Sequence, residues 1–253
     1  MLGLAAVAVA FAAADTYVVV LALPDMMGSV GLSIDQLQRA APIVSGFLLG
    51  YVAMLPLIGR IADLRGRTPV LVAALVVFAF GSLVTAAAYD LPSLVVGRFL
   101  QGVGGGGLVP VTLALVADLY PAERRGVPLG VVGAVQELGS VIGPLYGAVV
   151  LSFGSWRDIF WINLAAGLVL AAAIATLGRS RPVAAEGAHR AHPLRQSDWL
   201  GLLLLVLTIA SMLLVMRQPR DLVQSVDLGG PFVPFRAGAT IWFSPLGLVT
   251  VLL

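Results

Sequence analysis

Three ionisable residues, Asp15, Arg98 and Glu137, lie well inside long apolar stretches of this chain. At the centre of a membrane helix each such side chain costs roughly 2.5–3.5 kcal/mol, so charges retained there face a cavity or a partner. The chemistry open to them is proton transfer. Asp15 and Glu137 can bind and release protons, and Arg98 lowers the proton affinity of whichever carboxylate it approaches. A structural reading stands beside this one, with Asp15 and Arg98 forming a salt bridge and Glu137 hydrogen-bonded to a neighbouring helix. Catalytic residues are not expected, because no nucleophile, base and orienting group share a pattern. No metal site or cofactor is expected either: there is no cysteine, and His189 and His192 are neighbours in one polar loop.

The elements that must hold these charges are membrane helices. Of 253 residues, 59% are hydrophobic and 11% charged, against about 25% charged in an ordinary soluble domain. Apolar runs fall at residues 2–24, 41–59, 69–89, 93–117, 127–151, 159–177 and 199–216, with 241–253 as the start of an eighth. Each is near the ~20 residues that an apolar helix needs to cross a bilayer. They lack the period-two alternation of a barrel, so the expected fold is an all-α bundle. The amino terminus has the small residues of a signal peptide but no basic region, and its apolar run continues through Val18 to Pro24. An uncleaved first span is the expectation.

The basic residues are all arginine and sit in short loops, which gives the sequence pI of about 9.4 a topological cause. Nucleic acid is not an expected partner. Arg60, Arg65, Arg67, Arg124, Arg125, Arg179, Arg181, Arg190 and Arg195 lie on one side, and Arg39, Arg157, Arg217, Arg220 and Arg236 on the other. This asymmetry predicts a cytoplasmic amino terminus in a multi-pass protein of the inner (plasma) membrane. The expected organisation is a six-helix bundle over 1–177, a cytoplasmic loop over 178–198, and a linker helix, outer-side segment and truncated next helix over 199–253, with residues 217–240 irregular.

Depth follows from the helical rise: Asp15 and Arg98 are roughly 13 and 8 Å from the outer ends of their spans, within reach of each other. Glu137 is about 15 Å deep, near the midplane. Gly139, Gly143 and Gly147 recur every fourth residue and give span five a close-packing face. Glu137 lies about 120° around the helix from Gly143, on the side of Pro144. The run from Gly102 to Gly107 matches G-x-G-x-x-G, but a membrane helix precedes it where a nucleotide site needs a strand.

Gly59, Asp63, Gly66 and Arg67 within GRIADLRGR resemble the loop between helices two and three of the major facilitator superfamily. Arg98, Gln101 and Gly102 in LVVGRFLQG resemble its fourth-helix motif, and Gly139, Gly143, Pro144 and Gly147 in GSVIGPLYG its fifth-helix antiporter motif. DTYVVVLALP is similar to the first-helix signature of the 14-helix drug:proton antiporters, with Tyr17 and Val20 where Thr and Asn are usual. Leu64 and Thr68 stand in the loop at places often basic. Asp198-Trp199-Leu200-Gly201 resembles the start of the additional helix pair of 14-helix members. DTYVVV with QELGSVIGPLYG more nearly resembles the mycobacterial branch that exports triacylglycerides and some drugs.

That resemblance implies the amino-terminal half of a proton-coupled exporter of amphiphilic drugs or lipids. It implies proton coupling at Asp15 and Glu137 beside Arg98. It also implies a gating loop containing Gly59, Asp63, Arg65, Gly66 and Arg67, which docks on the opposite half, and a periplasmic lipoprotein as partner. The alternative is a non-transporting fragment or split half-transporter that acts only with a separate carboxy-terminal half. The lipid bilayer, protons and an amphiphilic or lipid substrate are the other expected partners.

Overall fold

A computed structural model describes residues 1–179 and Leu207. Six long helices fill the first part: α1 (Leu2–Ser29), α2 (Leu37–Arg65), α3 (Arg67–Ala86), α4 (Leu91–Leu119), α5 (Gly126–Phe153) and α6 (Trp156–Arg179). All six are long and apolar enough to cross a membrane. They coincide with the first six expected spans and extend past most of their ends, because polar residues at an interface continue a helix that hydropathy alone would stop. The expected linker helix, the irregular 217–240 segment, the truncated eighth span and the His189–His192 loop lie outside the described residues.

The largest shift in boundary is at the arginine-rich stretch. It is not an open nine-residue loop. Helix α2 runs through Asp63 to Arg65, and only Gly66, at φ 86°, separates it from α3. That left-handed conformation favours glycine, which has no Cβ to clash. Asp90 starts α4 by accepting the Ser93 N–H at 2.9 Å, while its own N–H donates to the Ser93 hydroxyl. This reciprocal cap satisfies two backbone donors at the helix start.

Glycine sets how the helices pair. A methyl group built on Gly102 or Gly106 of α4 would overlap the backbone of Phe47 or Tyr51 in α2, and one on Gly104 would overlap Phe78 in α3. Helix α4 is therefore pressed between α2 and α3 on two glycine-bearing faces, which accounts for the run Gly104–Gly107. On the other side, Gly139 and Gly143 of α5 lie against the carbonyls of Ala10 and Ala14 in α1, and Gly147 lies against Val18. The register rises together in both helices, as it must for helices that cross in the same direction. Helix α5 packs mainly on α1 and only marginally on α4 and α6.

Candidate functional site: a buried ionic node and a polar groove

The middle of the bundle is built around Asp15 of α1 and Arg98 of α4, both almost completely buried. Arg98 Nη1 donates to Asp15 Oδ2 at 2.6 Å, the meeting that the depths of the two residues predict. The same nitrogen donates to Gln101 Oε1 at 2.9 Å. Gln101 Nε2 donates to Ser82 Oγ of α3 at 2.8 Å and to Asp15 Oδ1 at 3.4 Å. The Asn163 amide of α6 also donates to Asp15 Oδ1. Thr85 of α3 completes the set by donating to Gln101 Oε1 at 3.3 Å.

Aromatic rings close the node. The Arg98 guanidinium carbon is 4.5 Å from the centre of the Phe47 ring of α2 and 5.9 Å from that of Phe160 in α6. Both are within the range of cation–π attraction. Five helices thus meet at one charge pair, and α5 supplies none of these hydrogen bonds or ring contacts. Burying two charges is costly, and the pair repays it only through close geometry and further hydrogen bonds. Asp15 has Arg98, Asn163 and Gln101 as donors, while Arg98 keeps its Nε buried without a partner among the described residues.

Glu137 sits elsewhere. It is exposed and lines an open groove with Thr16 and Tyr17 of α1, Tyr51 of α2, and Gln136 and Ser140 of α5. Phe47, Leu48, Val9 and Val109 supply apolar wall. Pro144 leaves the Ser140 carbonyl without the N–H that a helix would offer it, which adds an acceptor near this wall. The groove combines an apolar lining with a few polar groups. The two carboxylates do not share a compartment: Asp15 is enclosed behind the α1–α5 contact, and Glu137 faces the groove in front of it.

At the end of the bundle that carries Gly59 and Gly66, Arg67 reaches Asp63 at 2.6 Å and Asp118 of α4 at 3.1 Å. Asp63 and Arg65 are exposed. Gly139, Gly143 and Gly147 form the α1 contact already described. Sequence reasoning misses Asn163, and quotes Gln101 only as part of a pattern. The available signal for Asn163 is a lone amide in the apolar run of α6, since an unpaired amide in hydrocarbon is costly.

Comparison with known proteins fits this arrangement. The chain is 50% identical over 169 residues to a triacylglyceride transporter of Mycobacteroides abscessus, covering 66% of this chain and 33% of that protein. It is 51% identical over 158 residues to a triacylglyceride transporter of Mycolicibacterium smegmatis, covering 62% and 28%. The chain therefore spans about a third of the length of the curated relatives it matches. Among solved structures, the proton:xylose symporter XylE aligns with a TM-score of 0.64 at 18% identity, over 89% of this chain and 55% of that one. A bacterial homologue of the human lysosomal transporter Spinster aligns at 0.61 and 15% identity, over 99% and 58%. These two likenesses establish the fold. The sequence profile of the Major Facilitator Superfamily matches residues 5–252, so a six-helix bundle with a buried Asp–Arg pair and glycine-mediated contacts has its family: this chain belongs to the Major Facilitator Superfamily.

Proposed function

We propose that this chain forms the proton-coupling half of a membrane exporter of amphiphilic or lipid molecules. The observation that carries the reading is the buried Asp15–Arg98 pair, placed close behind a polar groove that holds Glu137. A proton arriving at Asp15 cancels its attraction for Arg98 and frees α1 from α4. A proton on Glu137 removes a charge from the groove wall. Both events change the free energy of one arrangement of the bundle relative to another, which is what coupling requires. A lipidic substrate is supported by the names of the relatives and by the apolar wall of Val9, Phe47, Leu48 and Val109.

Transport by alternating access takes place between two six-helix halves, so the groove side of α2 and α5 is where the second half would stand. The arginine asymmetry supports an amino terminus in the cytoplasm and a location in the inner membrane. Gly59, Asp63, Arg65, Gly66 and Arg67 would then form the cytoplasmic gate element. A periplasmic lipoprotein as partner rests on the sequence resemblance alone. The test uses a transporter that carries both halves, reconstituted in proteoliposomes with an imposed pH gradient. Asp15→Asn and Glu137→Gln should each abolish gradient-driven export of a fluorescent triacylglyceride analogue while leaving membrane levels unchanged. Export undiminished in both variants would sink the reading.

A further inference from the structure

The Tyr146 hydroxyl of α5 is buried and hydrogen-bonds to nothing among the described residues. A hydroxyl left that way loses its bonds to water with no compensation, so its burial calls for a partner in some other state of the protein. The helix register identifies that partner. Gly143 lies on Ala14 and Gly147 on Val18, so Tyr146 and Asp15 are about two residues, or about 3 Å, apart along the shared axis. Both face the same side of the α1–α5 contact. Asn163 of α6 bonds to Asp15, and Tyr146 packs against the cluster that holds Trp156, Ile159 and Phe160 of α6.

Nine residues separate Glu137 from Tyr146, which is about 180° of helix. Helix α5 therefore presents Glu137 to the groove and Tyr146 to the chamber of Asp15. Around that chamber the charged groups are Asp15 of α1 and Arg98 of α4. Helix α3 contributes the neutral Ser82 and Thr85, and α6 the neutral Asn163. An ionised carboxylate has about four acceptor positions, and the three donors to Asp15 among the described residues leave one open.

We propose that Tyr146 is a positioning residue for the proton on Asp15, receiving the hydrogen bond of the protonated carboxyl when Arg98 is released. The proton comes from water and adds to Asp15 Oδ2 as an O–H group. That group donates to the Tyr146 oxygen, directly or through one water, and Tyr146 keeps its own proton. Arg98 stays cationic, held by Gln101 Oε1 and by the Phe47 and Phe160 rings. The orphan hydroxyl of the ionised state is thus the acceptor of the neutral state. This inference rests on the reading of Asp15 as a proton carrier.

The test is infrared difference titration of the full 253-residue chain in lipid nanodiscs. The carboxylic-acid carbonyl band of Asp15 is assigned by its loss in Asp15→Asn. Tyr146→Phe removes only the oxygen, and Tyr89→Phe, in the exposed connection between α3 and α4, is the control. Loss of one net hydrogen bond to the neutral form should move the Asp15 midpoint to lower pH by about half to one unit, and should raise the frequency of its carbonyl band. Tyr89→Phe should match the parent chain. A Tyr146→Phe titration and band that superimpose on the parent overturn the proposal and leave Asp15 as proton carrier intact. Absence of any band that Asp15→Asn removes overturns both.

Discussion

Replacing Gly143 with alanine isolates the contact that holds α5 to the bundle. A Cβ at this position would stand 2.5 Å from the Ala14 carbonyl oxygen and 3.0 Å from its Cα. Ordinary contact begins near 3.4 Å, so α5 must withdraw by about 0.9 Å. Backbone cannot rotate away as a side chain does. Gly133, in the same helix, has nothing within 4 Å of its Cβ position. Gly→Ala inside a helix gains up to about 1 kcal/mol of propensity, and that gain is common to both variants. Their difference is the overpacking cost, about 1–3 kcal/mol, or about a fivefold to 150-fold change in the unfolding constant. Titration of purified protein with sodium dodecyl sulfate in mixed micelles, followed by circular dichroism, reads it. Gly133→Ala should unfold at the higher detergent fraction. Coincident curves would refute the claim that backbone contact at Gly143 seats α5.

Two further outcomes follow from local geometry. Asn163→Ala removes a donor from the buried Asp15 carboxylate and should destabilise the bundle by about 1–3 kcal/mol in the same titration; an unchanged midpoint would show that this bond carries no stability. At Asp90, the Ser93 hydroxyl and N–H hold the carboxyl below the usual carboxylate range. Its folded value is lower than its unfolded one, so its contribution is present above the unfolded value and is lost as pH falls through the folded value. Asp90→Ala should therefore flatten the acid side of the stability profile, and identical profiles would count against the cap.

What the sequence discloses and what it hides divide along physical lines. Charges in hydrocarbon and glycines at four-residue spacing are local anomalies, so Asp15, Arg98, Glu137 and the Gly139–Gly143–Gly147 face can be picked out in advance. Depth shows that Asp15 and Arg98 can reach each other, but not that α1 and α4 are neighbours. Helix ends are less legible: α2 continues to Arg65 because interfacial polar residues tolerate helix, and hydropathy falls before the hydrogen bonding does. Partners distant in sequence are not legible either. Nothing near Arg67 points to Asp118, which is 51 residues away. The opposite placement of Asp15 and Glu137 depends on which side of α1 receives α5, a packing outcome that no single helix encodes.

The ionic contacts of Arg67 give the bundle a mechanical asymmetry. Helices α2, α3 and α4 are joined at mid-height by glycine contacts and again at one end by Asp63, Arg67 and Asp118, so they form a triangulated plate. Helix α5 hangs from α1 like a blade on a single edge. A load applied to such an assembly goes into the edge before it deforms the plate. Whatever binds Asp118 or Arg67 in competition would remove one strut of the triangle and soften the plate from its end, about 30 Å along α4 from Arg98 and without touching the buried charges.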